Sequence, residues 1–359
     1  MLREHFIILL SFLGLLFSCQ PIEQGGGKVP QEDPDPTPVI PTLQSISLDK
    51  SILRLRVGEA ETLKAILSPA GVTENVTWES SDPGVATVLN GIVTAKGIGQ
   101  ASIVARAGSK SADCPVVVKW PIPEDAVDLG VWITRENGTK YKVYWRDRNL
   151  GADTPEGYGD YYAWGEVETH YTSLDPLIWK EGYEAGYSWD TYRWAKGAHN
   201  KLTKYCSVKK DDCWAGPGEP DDKNVLDTGP DGDDVASKLL GNGWAMPSDK
   251  ELKELTKQCE WEWGSKNGIP GYYVKSKEKG NNNSIFLPCA GFIYDTVREI
   301  IAPIIGAGPQ GGIWSSTIEY IYFYQGPSDA SCIIFGDTGY SYTQYYRHAG
   351  MSVRPVFSD

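Results

Sequence analysis

Val76-Thr77-Trp78-Glu79-Ser80-Ser81-Asp82-Pro83-Gly84-Val85-Ala86-Thr87-Val88-Leu89-Asn90-Gly91-Ile92-Val93-Thr94-Ala95 decides the fold of the first part of this chain. Apolar residues fall at alternate positions, Val76 with Trp78 and Val85 on to Val88, so successive side chains point to opposite faces of extended segments. Asn90-Gly91 interrupts the pattern with two residues that tolerate positive φ, the signature of a tight two-residue hairpin. Trp78 is the one large side chain of the stretch and is expected to fill the core.

The same alternation extends outward over Ile46/Leu48, Leu53/Leu55/Val57, Leu63/Ala65, Ile103/Ala105 and Val116/Val118. About seven short strands with turns every 8 to 12 residues predict an antiparallel β-sandwich over residues 43–119. Ser45-Ile46-Ser47-Leu48, Val76 to Asp82, Val85-Ala86-Thr87-Val88 and Gly91-Ile92-Val93-Thr94-Ala95 together resemble the bacterial Ig-like group 2 family. The resemblance implies a spacer or adhesion module without catalytic residues.

Residues 1–18 read as a secretion signal: Arg3, then an almost wholly apolar run from Phe6 to Phe17, then small Ser18. A membrane-spanning helix needs about 20 apolar residues, and this run stops at Gln20-Pro21. Leu16-Phe17-Ser18-Cys19 resembles a bacterial lipobox, which implies a lipid-modified Cys19 as the mature N-terminus and attachment to the outer membrane through acyl chains. Residues 19–42 carry Gly25-Gly26-Gly27 and a Pro/Asp/Glu alternation with little to bury, a semi-extended tether. Acidic residues soon after a lipidated cysteine resemble the surface-export signals of Bacteroidetes lipoproteins.

The 359 residues suffice for two or three domains, and 13 Trp, 20 Tyr and 39 Gly predict turn-rich β structure with helix in the minority. With 47 acidic against 34 basic residues the formal charge is −13, which repels phosphate backbones and argues against nucleic acid as a partner. Apart from Cys19, six cysteines remain; Cys114 stands alone in the first module and five fall in the second, so at least one thiol is expected to stay unbridged. Cys206 with Cys213, closing a short polar loop, is the best single disulfide pair.

After Trp120-Pro121-Ile122-Pro123, the rest of the chain holds eleven of the thirteen tryptophans. Asp233-Asp234 followed by Val235 to Leu240 and Gly241 reads as a short helix with acids at its start and glycine at its stop. Ser248-Asp249-Lys250-Glu251 is a capping box, and Leu252, Leu255 and Cys259 follow at helical spacing, which makes Cys259 a core residue. Strands are expected at Tyr272 to Lys275, Ser284 to Pro288, Tyr320 to Tyr324, Cys332 to Phe335 and Ser352 to Val356. Tyr161-Tyr162-Ala163-Trp164-Gly165-Glu166, Tyr187-Ser188-Trp189-Asp190, Gly243-Trp244-Ala245-Met246-Pro247, Trp261-Glu262-Trp263, Trp314-Ser315-Ser316 and Ser352-Val353-Arg354-Pro355-Val356 resemble, in that order, the Fibrobacter succinogenes major paralogous domain. That resemblance implies an α+β, C-type-lectin-like fold over residues 120–359 and assigns no activity to particular residues. The chain is thus expected to be mostly β and multidomain.

Carbohydrate binding needs an exposed aromatic face flanked by groups that bond hydroxyls. Trp179, Tyr183, Trp189 and Tyr192, near Lys180, Glu181 and Asp190, form one candidate set; Tyr340 and Tyr342, with Tyr345 and Tyr346, form the second. Trp and Tyr are highly buried on average, so core packing competes with this reading at every position. Calcium is the one cofactor left open, with Asp227, Asp231 and Asp233 as its ligands in an acidic stretch that lacks the spacing of an EF-hand. No pairing of His and Cys suits zinc, and no nucleophile elbow, metalloprotease helix or phosphate loop is present. The leading expectation is a surface lipoprotein that binds extracellular glycan or protein and is not an enzyme. A structural subunit of a surface or fimbrial assembly is the alternative, and a hydrolase using carboxylates is less favoured.

Overall fold

The computed structural model describes residues 41–206, 223–293, 306–318 and 328–358. Tyr320 to Tyr324 lie outside the described residues, as do the signal, Cys19 and the tether up to residue 40. No helix among the described residues is long and apolar enough to cross a membrane.

The first module contains β1 (Ser45–Leu48), β2 (Leu53–Arg56), β3 (Ala60–Thr62), β4 (Ala65–Ser68), β5 (Thr77–Ser80), β6 (Ala86–Leu89), β7 (Ile92–Ala95), β8 (Gly99–Ala107) and β9 (Lys110–Lys119). They form sheets in the orders β2-β9-β8-β5, β3-β7-β6 and β1-β4. Leu53, Leu55, Ile103, Val116 and Val118 of the first sheet pack on Ala86, Val93 and Ala95 of the second, one face of each strand lining the core. β3 escapes the sequence pattern because Ala-Glu-Thr has no apolar alternation. The pairing is not wholly antiparallel: β2 runs parallel to β9, because the chain returns at the module's end beside an early strand. The hairpin at Asn90-Gly91 is as expected, with φ of 50° and 80°. A β-carbon on Gly91 would stand 2.5 Å from the Leu63 carbonyl, so the close approach that lets the Leu63 amide donate to the Gly91 carbonyl at 2.8 Å depends on glycine as much as the turn does.

The second module contains β10 (Ala126–Thr134), β11 (Lys140–Arg146), β12 (Tyr171–Leu174), β13 (Leu177–Trp179), α1 (Val235–Leu240), β14 (Trp244–Ala245), α2 (Asp249–Gln258), β15 (Cys259–Lys266), β16 (Ile269–Ser276), β17 (Ser284–Pro288), β18 (Gln310–Trp314), β19 (Asp329–Gly336), β20 (Gly339–Tyr346) and β21 (Val356–Ser358). The sheets are β10-β11-β21-β14, β15-β16-β17, β18-β19-β20 and the small pair β12-β13. One core gathers Val131, Val143 and Trp145 with Leu252 and Leu255 of α2 and with Val274, Leu287 and Ile333. The capping box of α2 is complete, Ser248 and Glu251 each accepting from the other's backbone. In α1 it is Asp234, not Asp233, that caps the helix, accepting from the Ser237 amide. Trp120 is more than a linker residue: it packs beside Tyr144, Trp244 and Phe357, and Arg56 donates to its carbonyl at 2.7 Å.

The motif residues of this module are mostly architecture. The Trp164 indole donates to the Ser315 carbonyl and the Trp314 indole to that of Tyr162, at 2.8 and 2.9 Å. Buried Glu166 accepts from the Arg193 amide and from His170. The wholly buried Arg354 guanidinium donates to Asn149 Oδ1 and to the carbonyls of Arg146 and Phe286. Cys114, Cys259, Cys289 and Cys332 are buried, unbridged thiols, and burial pushes Cys259 up to about 12 and Cys289 to about 11, far from thiolate chemistry. Cys206 is buried, and its expected partner Cys213 lies outside the described residues.

Candidate functional site

The first candidate set divides between core and rim. Tyr192 is a correction: it is 2% exposed, donates to the Trp164 carbonyl at 2.7 Å and accepts from Arg347 Nε at 3.0 Å, so no face is open to a ligand. Trp179 is half-buried against Tyr187, and Tyr183 is half-buried over the His170 ring at 4.2 Å. Trp189 lies apart from these two. Its ring meets His348 at 4.5 Å and exposed Tyr346 at 6.0 Å, joining the loop to the C-terminal tyrosines. His348 is 2% exposed, neither ring nitrogen has a hydrogen-bond partner, and burial, with His170 nearby, holds it down at about 4.

The acidic set does not converge on a cation. Asp233 is buried and accepts from Tyr205 Oη at 2.7 Å and from Lys204; Asp227 is bridged by Lys223 at 2.8 Å, while Asp231 is exposed. Lysines thus take the charge that calcium would need, and among the described residues no three His, Cys, Asp or Glu side chains form a metal-binding group.

Tyr340 and Tyr342 separate as well. Tyr342 is half-buried on the core, its hydroxyl 3.2 Å from that of Thr256. Tyr340, 41% exposed, meets a tryptophan from another sheet: its ring lies 4.6 Å from Trp261. Trp263, 36% exposed, continues the surface, and buried Tyr272 stands edge-on to Trp261, Trp263 and Tyr340 at 5.4, 5.2 and 6.4 Å. Tyr272 is itself fixed by donating to the Gly336 carbonyl at 3.0 Å, with Phe335 beneath. Two tight hairpins hold this ledge. Asn267-Gly268, with φ of 51° and 83°, closes β15 on β16 so that Trp263 faces Tyr272 directly; Gly336 pairs with Gly339 across the other turn. Trp261, Trp263 and Tyr272 are absent from the sequence-based candidates, although Trp-x-Trp at period two before Asn-Gly marks two indoles on one face of a hairpin.

An aromatic surface fixed by packing beneath and open above can stack on an apolar face of a ligand with little loss of side-chain freedom.

Comparison with known proteins gives one family. Residues 42–118 match the model of the bacterial Ig-like domain (group 2). An uncharacterized protein of Clostridium acetobutylicum is 33% identical over 125 residues, covering 30% of this chain and 31% of that protein. Domains 4 and 5 of the S-layer protein SbsC are 25% identical, with 22% of this chain and 53% of that chain covered and a TM-score of 0.20. Domains 5–6 of the same protein are 13% identical, with 85% and 97% covered and a TM-score of 0.21. The chain spans about a third of the curated relative and about half of the first S-layer chain. Residues 42–118, with the strand pairing described above, are a bacterial Ig-like domain of group 2.

Proposed function

We propose that the chain is an exported surface lipoprotein, anchored to the outer membrane through Cys19, whose Ig-like domain carries a C-type-lectin-like module that binds extracellular glycan or protein. The observation that supports this reading is the ledge of Trp261, Trp263, Tyr272 and Tyr340. Two of its rings are more than a third exposed although the rest of the cluster is packed. Contiguous exposed aromatic surface on a folded protein marks contact sites, and a pyranose offers the flat C–H face that such rings accept. A glycan array probed with the intact chain, with Trp263→Ala and with Tyr340→Ala tests it. Retained binding in both variants, or no glycan bound by the intact chain, removes the lectin reading. Labelling with radioactive palmitate, abolished by Cys19→Ser, tests the anchor.

A structural role in a surface assembly draws support from a different place. Leu89 and Ile92 face each other across the Asn90-Gly91 hairpin and are 73% and 50% exposed. A stoichiometric protein partner captured from the cell surface and lost on Leu89→Ser would favour that role.

A further inference from the structure

The cleft between the β10–β11 ribbon and α2 lies on elements that contribute nothing to the aromatic ledge. Trp132 pairs directly with Lys142 and Thr134 with Lys140, so these four side chains share one face of the ribbon. Trp132 is 42% exposed, and its indole is fixed from one side by the Lys142 ammonium at 5.2 Å, itself held by Asp128 at 2.7 Å. Its backbone is fixed by Gln258, which bonds both the amide and the carbonyl. The cleft beside it, about 700 Å³, is walled by Trp132, Thr134, Lys140, Lys250, Glu254 and Gln258. That volume is in the range of small-ligand sites.

Charge sets the ligand class. In a chain of net charge −13, this cleft concentrates cations around an exposed indole. Lys140 is exposed and, among the described residues, forms no salt bridge. Lys250 donates to the Thr134 carbonyl, which anchors its side chain in the wall of the cleft. Glu254 is the one carboxylate in the wall. It is already bridged by Lys257 at 2.7 Å and by the Gln258 amide at 2.8 Å, interactions that hold its carboxyl below the usual carboxylate range and so keep it ionised. The opening thus presents a stacking face, two available ammonium groups and a threonine hydroxyl.

We propose that this cleft binds a carboxylate-bearing saccharide, with a uronic acid ring against Trp132 and its carboxylate between Lys140 and Lys250. The site is independent of the ledge, and either can fail without the other.

Isothermal titration of the full chain with an oligogalacturonate and with the matching neutral galacto-oligosaccharide tests the proposal. The acidic ligand should bind, the neutral one at least tenfold more weakly, and the difference should shrink as salt rises from 50 to 300 mM. Lys140→Gln should weaken acid binding several-fold, and adding Lys250→Gln should abolish the preference for acid; Lys250→Arg, which keeps the charge, should restore it. Trp132→Ala should abolish binding, and Trp263→Ala should leave it unchanged. Equal binding of both sugars, absence of acid binding, or acid binding indifferent to Lys140 and Lys250 would overturn the site. So would a poly-glutamate peptide that competes as well as the sugar acid, since the cleft would then read charge alone.

Discussion

Gln258 closes the open edge of β10 by exchanging two hydrogen bonds with one residue, Trp132. Its Oε1 accepts the Trp132 amide at 3.0 Å and its Nε2 donates to the Trp132 carbonyl at 2.8 Å, as a neighbouring strand would. β10 ends its sheet, so this side chain replaces a missing partner. Gln258→Ala should cost about 1–2 kcal/mol, the net worth of two such bonds. It should also expose the strand edge to self-association. Urea unfolding reads the first effect and sedimentation velocity at rising concentration the second.

Arg354 supports a larger expectation. It is fully buried, among the described residues it forms no salt bridge and its three hydrogen bonds go to neutral oxygens, and burial lowers it to about 9. Arg354→Met should cost about 3–5 kcal/mol, because three buried acceptors lose their donor at once. Arg354→Lys should recover only part of this, since one ammonium cannot span three oxygens placed for a planar fork. Chemical denaturation of the two variants beside the parent measures both.

Two buried groups oppose each other on acidification. Burial raises Asp234 to about 6 from an ordinary 3.8, so its contribution is fully present below 3.8 and lost as pH rises through 6. Burial lowers His348 to about 4 from an ordinary 6.5, so its contribution is present above 6.5 and lost as pH falls through 4. Each shift corresponds to about 3 kcal/mol, with opposite sign over nearly the same window. Stability between pH 7 and 4.5 should therefore change little on account of this pair. Asp234→Asn should make the protein lose stability over that range, and His348→Phe should make it gain. Urea midpoints at the two pH values for the three proteins decide the matter; parallel profiles would contradict it.

The two kinds of tyrosine should separate in stability measurements. Tyr192→Phe removes a hydroxyl that bonds both the Trp164 carbonyl and Arg347, and should cost about 1–3 kcal/mol. Tyr340→Ala, at a 41% exposed position, should cost less than the core substitution. Thermal melts of both variants give the comparison.

What the sequence makes legible follows from the range of the forces involved. The Asn90-Gly91 turn and the capping box at Ser248 are local, decided by residues three or fewer apart, and both are found as read. β3 is invisible because a three-residue polar strand carries no periodicity. The parallel pairing of β2 with β9 is set by residues more than sixty positions apart. The candidate sites were harder still. Burial of Tyr192 depends on Trp164 and Arg347, and the neighbours that make Tyr340 a ledge residue, Trp261 and Tyr272, arrive from another sheet. The acidic stretch resembled a cation site because the sequence does not reveal that Lys204 and Lys223 fold onto it.

Four of the buried thiols lie in three cores: Cys114 in the Ig-like domain, Cys259 and Cys289 together beneath α2, and Cys332 on β19, the central strand of the β18–β20 sheet. Each becomes reactive only when its own core opens. The molecule therefore carries native clocks for its own disassembly. Pulses of a thiol reagent during unfolding, read by peptide mass, would date the opening of each core without introducing any probe.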